Sequence, residues 1–454
     1  MGAAMANEQT KYATDTIFAI ATPPGTGGIG IIRISGPRAK EIARDILGEV
    51  PRARFAQRAS FAGGDGQAID SGLALYFPAP ASFTGEDVIE LQGHGGPVVQ
   101  QLLSQRVMSL GGRPARPGEF SERAFLNDKL DLAQAEAIAD LVESGTAAAA
   151  RAAQRSLEGV FSRRVNELQD SLTSLRVFIE AALDFPEEEI DFIADSDSRE
   201  RLEKAQQSTR TLLQEAHQGQ LLRDGITVAI VGLPNVGKSS LLNALAGTDT
   251  AIVTDIPGTT RDVLRETISI NGLPVHIADT AGIRKSENVI EAEGIRRARA
   301  ALEQADLALL VLDLSTRGDD AHGVYTALPT GVQCIRVWNK VDIAPRREDE
   351  RSDSVNISAK TGEGIDTLKS MICDTAGLYS GHEGSFSART RHLDALRRTG
   401  EHLKAGAEQL TTNAAPELLA EELRLAQKAL GEITGEFLPD DLLGAIFSSF
   451  CIGK

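Results

Sequence analysis

One contiguous block, residues 226–245, constrains this chain more than any other. Ile226–Val231 is an unbroken apolar run bounded by glycines, the pattern of a strand buried on both faces of a parallel sheet. It leads into Gly232-Leu233-Pro234-Asn235-Val236-Gly237-Lys238-Ser239, which fits G-x-x-x-x-G-K-S, and then into a helical pattern beginning at Ser240. Strand, glycine loop and helix in that order make a phosphate cradle. Glycines let backbone N–H groups turn inward, Lys238 brings a point charge to the β- and γ-phosphates, and the Ser239 hydroxyl suits Mg2+. Further apolar runs at 275–278, 307–312 and 332–338 alternate with helical patterns, which predicts a doubly wound α/β domain.

Three more boxes narrow the nucleotide. Asp279-Thr280-Ala281-Gly282 follows the run at 275–278, putting a carboxylate near the Mg2+ shell and a glycine N–H near the γ-phosphate. Asn339-Lys340-Val341-Asp342 follows the run ending at Trp338, and the Asp342 carboxylate can accept both N1–H and N2–H of guanine, a donor pair adenine lacks. Ser358-Ala359-Lys360 then offers backbone N–H groups to the guanine O6. The four boxes in this order select GTP over ATP. The GTP-binding set is therefore Asn235, Val236, Gly237, Lys238, Ser239 and Ser240, the segment Thr254-Asp255-Ile256-Pro257-Gly258-Thr259-Thr260, and the residues of these three boxes. Within that segment Thr260 is expected to complete Mg2+ coordination and to let go after hydrolysis. Ras-like proteins carry a water-positioning Gln after the D-x-x-G glycine, whereas Ile283 stands here, so another group must act. The Asn235 amide, with carbonyls of 254–259, is a candidate holder for a monovalent cation.

The remaining texture predicts several domains, in line with about 150 residues per domain for a chain of 454. Residues 15–130 mix short β-branched runs (17–21, 29–35, 73–77, 88–91) with helical patterns at 38–47 and 98–110, an α+β module. From about Lys129 long Ala- and Leu-rich helices begin. Val165, Leu168, Leu172, Leu175, Ile179 and Ala182 form one apolar stripe, as in a helical bundle. The helix ends near Phe185-Pro186, and the acidic stretch that follows reads as a solvated connection. Helical texture returns after about Ser380, so the α/β domain is expected as an insertion into the helical one. The expected layout is 1–128 α+β, 129–223 and 381–454 helical, and 224–380 the inserted Ras-like P-loop domain.

Lys and Arg number 47 against 64 Asp and Glu, a formal net charge of −17, so any RNA must be held by local patches or through a partner. The three cysteines are too scattered for a disulfide framework or a zinc knuckle, and the seven histidines show no metal-ligand spacing. No apolar run approaches the roughly 18 residues of a membrane helix, and the opening residues lack the features of a secretory signal, so a cytoplasmic location without membrane is expected. Two short signals carry less. The G-x-G-x-x-G match at 25–30 precedes a β-branched run instead of a helix and reads as a turn. His94, among glycines, could polarise a substrate carbonyl or simply hydrogen-bond locally, and Cys451 could be a reactive thiol or a structural one.

These residues, taken with both ends of the chain, resemble the MnmE (TrmE) family of tRNA-modification GTPases over nearly the whole length. The carrying segments are Ala21-Thr22-Pro23-Pro24-Gly25, Gly30-Ile31-Ile32-Arg33-Ile34-Ser35-Gly36, Ser82-Phe83-Thr84-Gly85-Glu86-Asp87 and Leu91-Gln92-Gly93-His94-Gly95-Gly96-Pro97. Arg116-Pro117-Gly118-Glu119-Phe120-Ser121, the four boxes and the ending Phe450-Cys451-Ile452-Gly453-Lys454 continue the match. The resemblance implies an N-terminal folate-binding domain that dimerises, a helical domain and an inserted G domain. It implies action with an FAD- and NADH-using partner, MnmG (GidA), in a heterotetramer, adding an aminomethyl or carboxymethylaminomethyl group at C5 of the wobble uridine (U34) of certain tRNAs. The one-carbon unit would come from 5-formyl- or methylene-tetrahydrofolate. It further implies K+ at Asn235, Thr254, Ile256 and Thr259, Mg2+ at Ser239 and Thr260, and catalysis by Lys238 and Asp279 with Glu291 positioning water. The implied folate residues are Arg33, Glu90, Lys129 and Lys454.

The competing expectation is a ribosome-assembly or signalling GTPase that acts only as a partner-binding switch. A third is that the N-terminal module is itself a folate-dependent transferase under G-domain regulation. A pure switch has no need of the Arg33, Glu90 and Lys129 set.

Overall fold

The computed structural model describes residues 15–184, 196–247, 266–278, 302–316, 332–347, 352–378, 386–410, 415–437, 439–450 and 453. The chain divides into two compact units, Met1–Ala139 with Gly431–Lys454, and Asp140–Leu430.

The first unit is built on a mixed sheet. Its elements are β1 (Thr16–Ile20), β2 (Gly27–Ser35), α1 (Ala39–Leu47), β3 (Gln57–Ala62), β4 (Ala68–Phe77), β5 (Val88–Gly95), α2 (Pro97–Ser109), β6 (Gly112–Pro114), α3 (Glu119–Leu126) and the start of α4 (Leu132–Glu143). The described strands run in the order β3-β4-β5-β2-β1-β6 and pair antiparallel except for β1 with β6. Alternation along the central strands sends Ile32, Ile34, Ile89, Leu91 and Ala74 into a core with Ile42 and Ile46 of α1 and Leu103 and Val107 of α2. Truncating any one of these large side chains to Ala costs about 2–5 kcal/mol. The opposite alternation leaves Arg33, Glu90 and Gln92 half-buried. Helix α1 buries Ile42, Ala43 and Ile46 on one stripe and stops at Gly48, whose φ of 84° is left-handed.

A buried charge network secures the loop before β5. Arg123 on α3 donates to Glu86 at 3.0 Å, to Asp15 at 2.7 Å and to Glu119 at 3.2 Å. Arg113 adds a second fork onto Glu119, and Ser35 bridges Thr84 at 2.7 Å and Glu86 at 2.6 Å. Much of the Ser82–Asp87 and Arg116–Ser121 motifs thus serves internal ion pairing.

The second unit joins helices to a parallel sheet. After α5 (Ala147–Leu157), α6 (Val160–Asp184) and α7 (Ser196–Asp224) come β7 (Ile226–Val231), α8 (Lys238–Ala246), β8 (Glu266–Ile270), β9 (Leu273–Ala278), β10 (Leu307–Asp313), β11 (Gln333–Asn339), β12 (Ser354–Ile357) and α9 (Ile365–Ala376). Helices α10 (Thr390–Glu408) and α11 (Pro416–Thr434) follow, and α12 (Asp440–Ser448) belongs to the first unit. The sheet order is β12-β11-β10-β7-β9-β8, parallel throughout except for the β8–β9 hairpin. The chain thus leaves central β7 toward β9 on one side and β10 on the other, so the carboxyl end of β7 is a topological switch point. The α6 stripe holds: Val165, Leu168, Leu172, Leu175 and Ile179 are all buried.

Two contacts seat the sheet on the helices. Asp140, 3% exposed, accepts from Arg223 at 2.7 Å and from Arg389 at 2.7 Å, so one carboxylate grips the segments on either side of the sheet. The β8–β9 turn meets the N-terminus of α5, where the Thr146 hydroxyl caps Ala149 and donates to Gly272 O at 3.0 Å. A Cβ on Gly272 would stand 2.8 Å from the Ala148 methyl, and its φ of 89° is left-handed, so glycine is required there.

The strands β3, β6, β8 and β12 were not expected from the apolar runs, because they are short or polar: Gln57–Ala62 reads QRASFA and β6 spans three residues. The dinucleotide-like glycines start β2, and no helix follows them. A side chain on Gly95 would lie 2.6 Å from Gly27 O, so these glycines allow β2 and β5 to approach. The acidic stretch after Phe185 lies outside the described residues.

Candidate functional site

The phosphate loop leaves β7 at the switch point and turns into α8 through left-handed residues. Asn235 has φ 64° and Gly237 φ 99°, and Gly237 caps α8. A Cβ on Gly237 would lie 2.3 Å from Asn339 Nδ2, so both conformation and space demand glycine. Lys238, the first helical residue, folds back over the loop and donates to Gly232 O at 2.9 Å and Leu233 O at 2.8 Å. Burial pushes its ammonium below the ordinary lysine value. A part-buried ammonium folded over a glycine loop at a helix N-terminus suits an anion. Ser239 and Ser240 are exposed in the first turn of α8, and Val236 is buried beneath the loop.

The base-recognition loops converge on this cradle. Asn339, buried at the end of β11, donates from Nδ2 to Val236 O at 2.8 Å and accepts on Oδ1 from Ala359 N at 3.0 Å. Lys340, at φ 76°, pairs with Asp313 at 2.5 Å. Asp342 accepts on Oδ1 from the buried Ser358 hydroxyl at 2.7 Å, which fixes its carboxylate. Ser358 N–H and Ala359 N–H are engaged within the protein, by Glu363 O and Asn339 respectively, and Lys360 is exposed beside them. Loops separated by more than a hundred residues therefore form one rim.

Among the expected site residues, Thr254, Asp255, Ile256, Pro257, Gly258, Thr259, Thr260, Asp279, Thr280, Ala281, Gly282 and Glu291 lie outside the described residues, as do Cys451 and Lys454.

The second candidate site is in the first unit. Arg33 on β2 stands directly opposite Glu90 on β5 in the antiparallel register, and its Nε donates to Glu90 Oε1 at 2.9 Å. Gln92, next on the same face of β5, donates to Glu90 Oε2 at 3.1 Å. The Arg33 guanidinium also donates to Gly453 O at 3.1 Å and lies 5.9 Å from the Phe120 ring centroid. A side chain on Gly453 would meet Ile20 O at 2.9 Å, so Gly453 packs against the end of β1. The structure thus brings Arg33, Glu90 and residue 453 together. Lys129 is exposed and is placed by its own loop, with its Cε 3.1 Å from the position of a Cβ on Gly85.

With both sites in view, similarity to known proteins decides the family. A sequence model described as the MnmE helical domain matches residues 132–451, and one described as the N-terminus of the GTP-binding protein TrmE matches residues 16–129. The chain is 56% identical over 454 residues to the tRNA modification GTPase MnmE of Stutzerimonas stutzeri (strain A1501), spanning 97% of this chain and 99% of that protein. It is 56% identical over 445 residues to the MnmE of Methylococcus capsulatus, spanning 97% and 99%, and 53% identical over 452 residues to that of Coxiella burnetii (strain Dugway 5J108-111), spanning 98% and 100%. The chain belongs to the MnmE family. It is a tRNA modification GTPase with a GTP-binding P-loop domain. Among the described residues, no helix is long and apolar enough to cross a membrane.

For this MnmE-family chain the sequence left several partners unflagged. Asp313 holds Lys340 but is a lone aspartate ending an apolar run, and only its place at the same sheet rim betrays it. Gln92 orients Glu90, and period-two spacing on β5 was the available signal. Arg123, Glu86 and Glu119 sit inside conspicuous motifs, yet nothing in the spacing reveals that they face one another.

Proposed function

We propose that this MnmE-family GTPase modifies C5 of the wobble uridine (U34) of certain tRNAs to the aminomethyl or carboxymethylaminomethyl form, using a tetrahydrofolate one-carbon unit and an FAD-containing MnmG-like partner. The observation that carries the reading is the Arg33–Glu90 pair with Gly453 O beside it, in a chain that also builds a phosphate loop. Glu90 receives one donor on each oxygen, from Arg33 and Gln92, which holds it as an oriented carboxylate with lone pairs left for the amine and amide edge of a pterin. Arg33, Lys129 and Lys454 supply cationic groups that suit the ligand's own carboxylates. The donor set fits a tetrahydrofolate derivative such as 5-formyl- or methylene-tetrahydrofolate, which when bound supplies the one-carbon unit.

On the GTP side, Lys238 releases its two loop carbonyls and turns its ammonium to the β- and γ-phosphates, where burial makes its charge effective. Ser239 and Thr260 are the residues to hold Mg2+, and Asn235 with Thr254, Ile256 and Thr259 those to hold K+; both ions supply positive charge against the phosphate oxygens. Asp279 supports the Mg2+ shell through its carboxylate. Glu291 orients water for in-line attack, the task a Gln performs in Ras-like proteins. Asp342 accepts the guanine N1–H and N2–H. The protein works as a homodimer in a heterotetramer with the FAD partner, in the cytoplasm.

The test is to digest tRNA from cells with the gene, without it, and rescued by Glu291→Ala, and to quantify C5-modified wobble uridine by mass spectrometry. Loss without the gene and no restoration by Glu291→Ala is expected. Full modification in the absence of the gene would overturn the proposal.

A further inference from the structure

His94 is not absorbed by either site, and its surroundings are built around its ring. It lies on β5 four residues beyond Glu90, about 13 Å along the strand. Glu90, Gln92 and His94 alternate there with the buried Ile89, Leu91 and Gly93. Its side chain is 73% exposed, yet its Nδ1 is 2.7 Å from Oδ1 of Asp70, whose own side chain is only 8% exposed. Oδ2 of the same carboxylate accepts the His94 backbone N–H at 2.7 Å, and Ser71 N–H donates to Oδ1 at 2.7 Å. The peptide is pinned from the other side by Gln100, which donates to His94 O at 2.9 Å. Space for the carboxylate comes from a missing side chain, since a Cβ on Gly93 would stand 2.3 Å from Asp70 Oδ2.

An oriented carboxylate on Nδ1 decides the tautomer. Nδ1 donates its proton to the Asp70 carboxylate, which leaves Nε2 of the exposed ring as the nitrogen open to a partner. A histidine that merely satisfied a local turn would need no buried acid behind it, and an exposed one would gain little from it. Ring orientation by an acid on one nitrogen, with the other nitrogen open, is how proton-transfer imidazoles are arranged.

We propose that His94 is a proton-transfer residue of the tRNA-modifying chemistry, placed along β5 beyond the Arg33–Glu90 pair, and that Asp70 is its positioning residue. Nε2 takes a proton from a substrate N–H or O–H, the resulting imidazolium is stabilised by Asp70, and the proton passes afterwards to product or water. The proposal rests on the reading of the Arg33–Glu90 site given above.

The test uses the full chain in extract from cells lacking the gene, with tRNA from those cells, and compares wild type, His94→Gly and Asp70→Asn. Three readouts are taken: modified uridine, GTP hydrolysis, and equilibrium binding of 5-formyltetrahydrofolate. His94→Gly is expected to lose modification about a hundredfold, the lower range for general acid–base catalysis, while hydrolysis and folate binding persist. Because the ring is exposed, millimolar imidazole should restore part of the lost modification. Nitrogen-15 spectra of the wild-type ring should report a proton held on Nδ1, with that preference weakened in Asp70→Asn. Modification within twofold of wild type in His94→Gly, or a loss that imidazole does not relieve, overturns the role. Failure of the wild type to bind 5-formyltetrahydrofolate would instead sink the reading of the Arg33–Glu90 site, and imidazole rescue would still report on His94.

Discussion

Asn339 and Val236 are joined by a buried hydrogen bond, Nδ2 to O at 2.8 Å, that ties the loop after β11 to the phosphate loop after β7. One amide thereby sets the distance between the two loops proposed to hold the base and the phosphates.

Asn339→Ala removes both of that amide's bonds and leaves Val236 O and Ala359 N–H without their partner. Each such loss costs about 1–3 kcal/mol, so GDP affinity should fall by one to a few orders of magnitude, read by displacement of a fluorescent nucleotide. Folate binding should be unchanged. Gly237→Ala should be at least as severe, because its methyl would overlap Asn339 Nδ2. Near-normal nucleotide affinity in Asn339→Ala would refute the bridging role.

The Asp140 carboxylate should matter for stability without touching nucleotide. Asp140→Ala leaves the Arg223 and Arg389 guanidiniums without the acid that both grip, a change worth about 3 kcal/mol for a buried pair. Thermal unfolding should shift down by several degrees. An unchanged midpoint would mean that the two arginines find other partners at no cost.

Acid stability has an identifiable source in Glu119. Burial pushes its carboxyl up, but hydrogen bonds from Arg113, the Arg116 N–H and Arg123, with the charge of Arg113, outweigh burial and bring it from the usual 4.5 to about 2. A carboxyl depressed in the folded state contributes stability that is complete above 4.5 and is lost as pH falls toward 2. Glu119→Gln should therefore be destabilised at neutral pH and show a shallower loss between those values, measured as the urea midpoint against pH. Parallel curves for the two proteins would contradict the assignment.

Legibility in the sequence followed locality. The phosphate loop, the N-K-x-D box and the α6 stripe could be read because a few contiguous residues, or one periodicity, carry the whole signal. The resemblance named Arg33 and Glu90, but their cross-strand register depends on β2 pairing with β5 more than fifty residues away. Asp140 was invisible for the same reason, since its partners are far along the chain in both directions and a single aspartate in an Ala-rich helix has no pattern. Strand β8 was missed although Asn271-Gly272 is a strong hairpin signal, because ETISI lacks the apolar continuity of the buried parallel strands. His94 was legible as a histidine among glycines; its place on β5 and the acid behind it, which change its meaning, were not.

One chain is proposed to carry both a GTP site and a folate site. Equilibrium dialysis of the purified chain against 5-formyltetrahydrofolate, for wild type, Arg33→Ala and Glu90→Gln, tests it most directly, with GTP hydrolysis measured on the same samples. Saturable binding by wild type, loss of at least tenfold in affinity in both variants, and unchanged hydrolysis in all three are expected. No saturable binding by wild type, or equal binding by Glu90→Gln, would contradict it.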